Sequence, residues 1–292
     1  MRCGNVNEPA YLIVNADDYG YFSSVSRGIL DGGKDGLITA TGVIANSRHF
    51  DEHIQWLKDA TYLDVGVHLN LTFGRPLTEQ MIRRLSRWQG EFPDKYSIIL
   101  IGILARQLPI ECVLEEWRAQ IWRCRNAGIE IRFLNTHEHL HALPPLFTAI
   151  LQLAEENNIP YLRYPEPEWN AWRGPGSMTR NILLQLIYLI NRARIPKNTP
   201  KLLGINDSGK LTLFYLKKRF ASLQGGQVYE LMCHPGYFDP AEIRDWRLCS
   251  YHRWQQELDL LRSREVRNLC DSLGIEVIRY RDLCEKKDSA AQ

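Results

Sequence analysis

Short β-branched apolar runs that end in polar or charged residues alternate along the chain with amphipathic stretches. That alternation predicts repeated β-α units around a mainly parallel sheet. The predicted strands are Tyr11 to Ala16, Ile38 to Ala45, Leu63 to Leu69, Ile131 to Thr136, Tyr161 to Tyr164, Lys201 to Ile205, Val228 to Cys233 and Glu276 to Arg279. Helices fit between them, at Ser23 to Gly33, Glu111 to Asn126, Pro144 to Asn158, Met178 to Arg192, Leu211 to Ala221 and Arg253 to Leu273. Eight strands with intervening helices fit an α/β architecture of the (β/α) barrel kind, in a distorted form, better than an open sheet.

The rhythm breaks at Thr72 to Pro109, where two short helices and no strand replace the usual brief connection. A long excursion at one rim of a barrel is expected to serve as a lid or a substrate wall. A second irregular stretch, Pro165 to Ser177, holds three prolines and two tryptophans and reads as an ordered loop with aromatic faces. The expected organisation is a single domain over 1–285, with 72–109 as its rim insertion and 286–292 as a disordered tail. The helix Met178 to Arg192 is strongly apolar and is flanked by Arg180, Arg192, Arg194 and Lys197. Its plain reading is a buried barrel helix with a basic end near its own C-terminal dipole. The alternative is an interfacial helix that brings the site to a membrane-embedded, lipid-linked sugar.

Composition narrows the classes. With 292 residues, 45% of them hydrophobic and 24% charged, the chain is too apolar for disorder and long enough to bury a large core. A formal net charge of +2 gives no basic face for nucleic acid. Seven cysteines are scattered without a CxxC pair, as expected of reduced thiols in a cytoplasmic protein. The N-terminal MRCGNVNEPA lacks the apolar core of a signal peptide, and no apolar run approaches the ~20 residues that span a bilayer.

The acids and histidines fall at one end of the predicted strands. Asp17 and Asp18 end the first, His68 ends the third, His137 follows the fourth and His234 ends the seventh. In a β/α barrel those carboxyl ends converge on one rim, so distant residues meet around one pocket. Asp17-Asp18 alone reads as an Asx turn or helix cap, or as two carboxylates of which one binds a metal and the other faces water. His68 alone reads as a satisfied rim residue. His137, His139 and His141 alternate in THEHLH, and an extended segment would turn all three to one side, where burial without partners is costly. That favours metal binding or proton transfer, and imidazole with carboxylate suits a zinc-like divalent ion. His234 is either a buried, backbone-bonded histidine or a general acid. Its neighbour Cys233 points to the opposite strand face, so the two form no dyad.

Taken together, LIVNADDYG, Ser23 to Ile29, DGLITATGVIANS, VGVHLNLTFGRPL, THEHLHALP and ELMCHPGY resemble the YdjC-like (ChbG-type) carbohydrate deacetylases, which have polysaccharide-deacetylase-like β/α barrels. The resemblance implies one divalent metal, zinc or magnesium, held by Asp18, His68 and His137, with Asp17 as general base and His234 protonating the leaving group. It implies removal of acetyl from an N-acetylated sugar, an oligosaccharide or a lipid-linked glycan, because Asn135-Thr136 departs from the Asp-Ser usual in chitooligosaccharide members and is similar to the hopanoid-associated branch. Further candidates for substrate contact are Asn70, His139, His141, Trp169, Trp172 and Tyr237. A homodimer is common in the resembling family, and location is expected in the cytoplasm, with peripheral contact at the inner membrane face allowed. Rival readings are metal-dependent ester or phosphoester hydrolysis on the same barrel, or a non-catalytic carbohydrate-binding relative.

Overall fold

The computed structural model describes residues 8–169 and 175–283. Its first half runs β1 (Ala10–Tyr19), α1 (Ser23–Asp35), β2 (Ala40–Val43), α2 (Phe50–Lys58), β3 (Asp64–Leu69), α3 (Glu79–Arg84), α4 (Tyr96–Leu104), α5 (Ile110–Asn126), β4 (Ile131–Thr136) and α6 (Pro144–Glu156). The second half runs β5 (Tyr161–Leu162), α7 (Pro175–Asn191), β6 (Lys201–Leu203), α8 (Leu213–Phe220), β7 (Val228–Cys233), α9 (Trp246–Tyr251), α10 (Trp254–Arg262), α11 (Arg264–Ser272) and β8 (Ile275–Val277).

All strand pairings are parallel, in the order β5-β4-β3-β2-β1-β7-β6. The order ends on β5 and β6, which leaves the barrel open between them, and the chain passes from one to the other through α7. β1 is long enough to take three partners: β7 along Tyr11 to Ala16, β8 beside Ala10 to Leu12, and β2 from Asn15 onward. Its residues Leu12, Val14 and Ala16 join one continuous core with Val67, Leu134 and Leu231 of the neighbouring strands. Because every strand points the same way, their carboxyl ends form a single rim.

The predicted helix Arg253 to Leu273 is two helices. Ser263 interrupts it, adopting an extended conformation and accepting a hydrogen bond on Oγ from Val266 N–H, the N-cap arrangement that starts α11. The extended arrangement considered for THEHLH, beyond the predicted strand end at Thr136, is not observed. β4 stops at Thr136, and His137–Ala142 wind into a 3-10 turn in which Glu138 and His139 have φ of 56° and 55°. Two successive left-handed non-glycine residues send the three imidazoles in different directions. In the 72–109 excursion, α3 and α4 are joined by one 3-10 turn at Ser86–Trp88. Trp172 and the tail 286–292 lie outside the described residues. Among the described residues, no helix is long and apolar enough to cross a membrane.

One close approach fixes a rim loop. A Cβ on Gly28 of α1 would lie 2.6 Å from Gly236 Cα, and one on Gly236 would lie 2.8 Å from Val25 Cα. Only glycine at both positions lets α1 press directly on the loop that follows His234.

Candidate active site

At the rim end of β1, the pairing with β2 shifts register between Ala16 and Tyr19, and Asp18 takes φ of 67°. This irregularity separates two neighbouring acids that a regular strand would also send apart, and it aims each at a different set of partners. Asp18 Oδ1 lies 3.0 Å from His137 Nδ1 and 3.3 Å from His68 Nε2. Ligand atoms of Asp18, His68 and His137 all fall within 4.8 Å of one another. Asp18, Glu138 and His139 are all left-handed, so three strained backbone positions, each worth ~1–3 kcal/mol, gather at this one cluster.

The donor set fits a divalent cation. His68 Nδ1 lies 2.8 Å from Asn135 Oδ1, an acceptor, so this nitrogen carries the proton and Nε2 turns its lone pair toward Asp18 and His137. Burial alone would raise the Asp18 carboxyl, yet the two imidazoles beside it hold it well below the ordinary carboxylate range. Burial alone would lower His137, yet Asp18 pushes it up to about 9. The cluster thus favours positive charge, as a proton or as a metal that displaces one. A second group, His49 just before α2 with Glu52 and His53 on it, does not fit. His53 spends both ring nitrogens on Ser23 Oγ and Ser26 Oγ, and Arg48 Nε donates to His49 Nε2.

Asp17 faces a different environment. Arg163 Nη1 and Nη2 donate to its two oxygens at 2.5 and 2.8 Å, and Asn135 Nδ2 donates to Oδ1 at 3.2 Å. Arg163 also donates through Nε to Glu230 Oε1 at 2.7 Å, where Asn15 Nδ2 arrives at 2.8 Å. All of these side chains are buried. Burial opposes ionisation of Asp17, but the Arg163 guanidinium overrides it and holds the carboxyl at about 2. The three donors fill three of about four acceptor sites on the carboxylate, which leaves one for a further proton donor. Asn135 bridges the two halves of the site, accepting from His68 and donating to Asp17, which one amide can do and a carboxylate cannot.

His234 is held through its backbone. Its N–H donates to Glu257 Oε2 at 2.6 Å, and Glu257 also accepts from Leu211 N–H. His234 Nδ1 is buried without a hydrogen bond. The ring of His252 lies 5.0 Å from it, stacked on Trp254, and burial together with His234 pushes His252 down to about 3. Cys233 donates to Asn15 O, and burial raises its thiol well above the usual range, so it is no nucleophile.

Asp17, Asp18, His68, His137, His139 and His234 line one cavity of about 610 Å³, within the ~300–1,000 Å³ usual for small-ligand sites. The other substrate candidates among the described residues do not line it. Asn70 is buried and spends its amide on Asn46, Phe73 O and Thr72. His141 turns inward, with Nδ1 at Thr136 Oγ1 and Nε2 at Arg163 O, which places it in the core and not on substrate. Trp169 is exposed and donates to Gln185, while Tyr237 donates to Asp31. The walls come instead from Tyr21, Phe22, Tyr96, Arg180, Tyr251 and His252. Sequence reading missed Arg163; its signal is a cation set inside the apolar run Tyr161 to Tyr164 at a strand's carboxyl end.

A family model of YdjC-like proteins matches residues 11–272. A carbohydrate deacetylase from Geobacillus stearothermophilus is 30% identical over 278 residues, covering 94% of this chain and 98% of the relative. One from Clostridium beijerinckii is 28% identical over 272 residues, covering 93% and 99%. Among solved structures, a candidate cellobiose-phosphate cleavage protein from Enterococcus faecalis V583 superposes with a TM-score of 0.70 at 25% identity, covering 94% of this chain and 99% of that one.

Proposed function

The chain belongs to the YdjC-like protein family, and from that premise we propose that it hydrolyses the N-acetyl group of a sugar, giving acetate and the free amine, with the help of a divalent metal. The observation that carries the proposal is the division of labour at the end of β1, where Asp18 meets two imidazoles while Asp17, one residue away, is gripped by Arg163.

Asp18, His68 and His137 would hold zinc or magnesium, which would supply Lewis-acid polarisation of the acetyl carbonyl and make water acidic enough to attack near neutral pH. Asp17 takes the proton of the attacking water at its remaining acceptor site, and Arg163 keeps the carboxylate ionised and fixed in direction. A carboxylate near 2 is a weak base, so its contribution lies in position and charge more than in proton affinity. His234 gives a proton to the sugar nitrogen as the C–N bond breaks. The excursion 72–109 walls the pocket with Thr72, Asp94, Tyr96 and Leu100, as a substrate wall would. His139 lines the same pocket, and in this reading it meets a sugar hydroxyl.

Acetate release across N-acetylated mono-, oligo- and lipid-linked sugars tests the proposal, and no release from any of them would end it. For His234→Ala, the expected result is retained metal with kcat lowered ~10²–10⁴-fold, the usual contribution of a positioned acid. Turnover near that of the parent would return His234 to a structural role. Asn135→Ala should free His68 to rotate and weaken metal affinity ~10–100-fold, as loss of a ligand-orienting partner typically does. Competition with a chelator of known affinity measures it, and an unchanged constant would show that Asn135 does not orient His68.

A further inference from the structure

The helices that wall the pocket also carry an exposed apolar face. On α7, Leu183, Leu184 and Ile187 line the pocket, the last two only 9% exposed, while Met178, Ile182, Leu186, Leu189 and Ile190 are 46 to 62% exposed. The spacing 178, 182, 186 and 189–190 sets the latter along one outer stripe. Between Met178 and Asn191, Arg180 is the single charged residue. α4 repeats the arrangement, with Leu100 in the pocket wall and Ile101 and Leu104 outside, 62 and 71% exposed. The plain reading of α7 as a buried helix therefore holds for its inner side alone.

Scattered exposed leucines are ordinary, but a run of large apolar side chains continuous with a pocket wall marks a surface that meets something. Both helices reach the same pocket, so whatever covers them lies against its mouth. A second copy packed rigidly across both would close that mouth, and one packed on α7 alone would leave the α4 face bare. A fluid bilayer can receive both faces and leave the mouth open to its surface. Charge agrees with this choice. Exposed cations stand at the ends of both helices, Lys95 and Arg106 around α4 and Arg192, Arg194 and Lys197 after α7. Of the acids that line the pocket, Asp94 and Asp245 are paired with Arg247. Apolar side chains flanked by Lys and Arg are the pattern that binds the headgroup region of anionic membranes.

We infer that α4 and α7 form a docking face for an anionic lipid bilayer, with the pocket mouth turned to the membrane surface. This inference does not rest on the deacetylase reading. The test sediments the full chain with vesicles of phosphatidylglycerol and phosphatidylcholine in equal parts, at low salt, against vesicles of phosphatidylcholine alone. Most of the protein is expected to pellet with the anionic vesicles, at least tenfold more than with the neutral ones. Leu186→Glu with Ile190→Glu, and separately Ile101→Glu, should each reduce binding at least tenfold while circular dichroism and melting temperature stay those of the parent; none of these three residues lines the pocket. Failure of the parent to pellet, or equal pelleting of the variants, overturns the inference. So does a stable dimer that Leu186→Glu with Ile190→Glu converts to monomer, because the stripe would then belong to a second copy.

Discussion

Asp17→Asn is expected to abolish acetate release, with kcat falling ~10²–10⁴-fold or more, while the protein keeps its metal and binds substrate. An amide cannot accept the proton that the attacking water must lose. The replacement keeps the size of the side chain and one oxygen acceptor for Arg163, so the pocket retains its shape. Asp18→Asn should fail differently. Its oxygen sits between His68 and His137, and loss of the negative charge there should weaken metal binding before it affects anything else. Metal analysis and acetate release on the two variants together separate these roles. An active Asp17→Asn, or one that loses metal while Asp18→Asn keeps it, would reverse the assignment.

The second large effect is on stability. Arg163→Met should cost about 3–5 kcal/mol, because it leaves Asp17 and Glu230 buried without their shared cation. A domain is commonly stable by only ~5–15 kcal/mol, so denaturant midpoints should drop visibly, and a change below ~1 kcal/mol would show that the network relaxes or admits water. The same pairing gives an acid signature. The Asp17 carboxyl is depressed from 3.8 to about 2 on folding, so its contribution is fully present above pH ~4 and is lost as pH falls from there toward 2. That part of the acid unfolding of the parent should be missing in Arg163→Met.

The barrel was legible because its strands are short, apolar and closed by polar residues, and β3, β4 and β7 end where the run of apolar residues ends. The cluster of possible metal ligands was legible because Asp18, His68 and His137 lie at strand ends, and parallel strands bring such ends to one rim. Other parts were not. Alternation in THEHLH would turn its three histidines to one side of an extended segment, but two left-handed residues break the alternation, and no local pattern announces a non-glycine in that conformation. His141 consequently went into the core as a hydrogen-bonded spacer between Thr136 and the Arg163 carbonyl. Arg163 and Glu230 were passed over because a buried charge inside a strand can be interpreted only once its partner from another strand is known. The tryptophans and Tyr237 were chosen for their chemistry, while the pocket's aromatic walls come from Tyr21, Phe22, Tyr96, Tyr251 and Trp254, whose positions depend on loop paths.

The central claim is that a divalent ion at Asp18, His68 and His137 drives deacetylation. It is tested most directly by measuring bound metal and acetate release on one preparation, before chelation, after it and after metal is returned, with His68→Ala carried alongside. The account predicts about one metal ion per chain, loss of acetate release with the metal, recovery on its return, and neither metal nor activity in His68→Ala. Undiminished acetate release from metal-free protein, or a full complement of metal in His68→Ala, would contradict it.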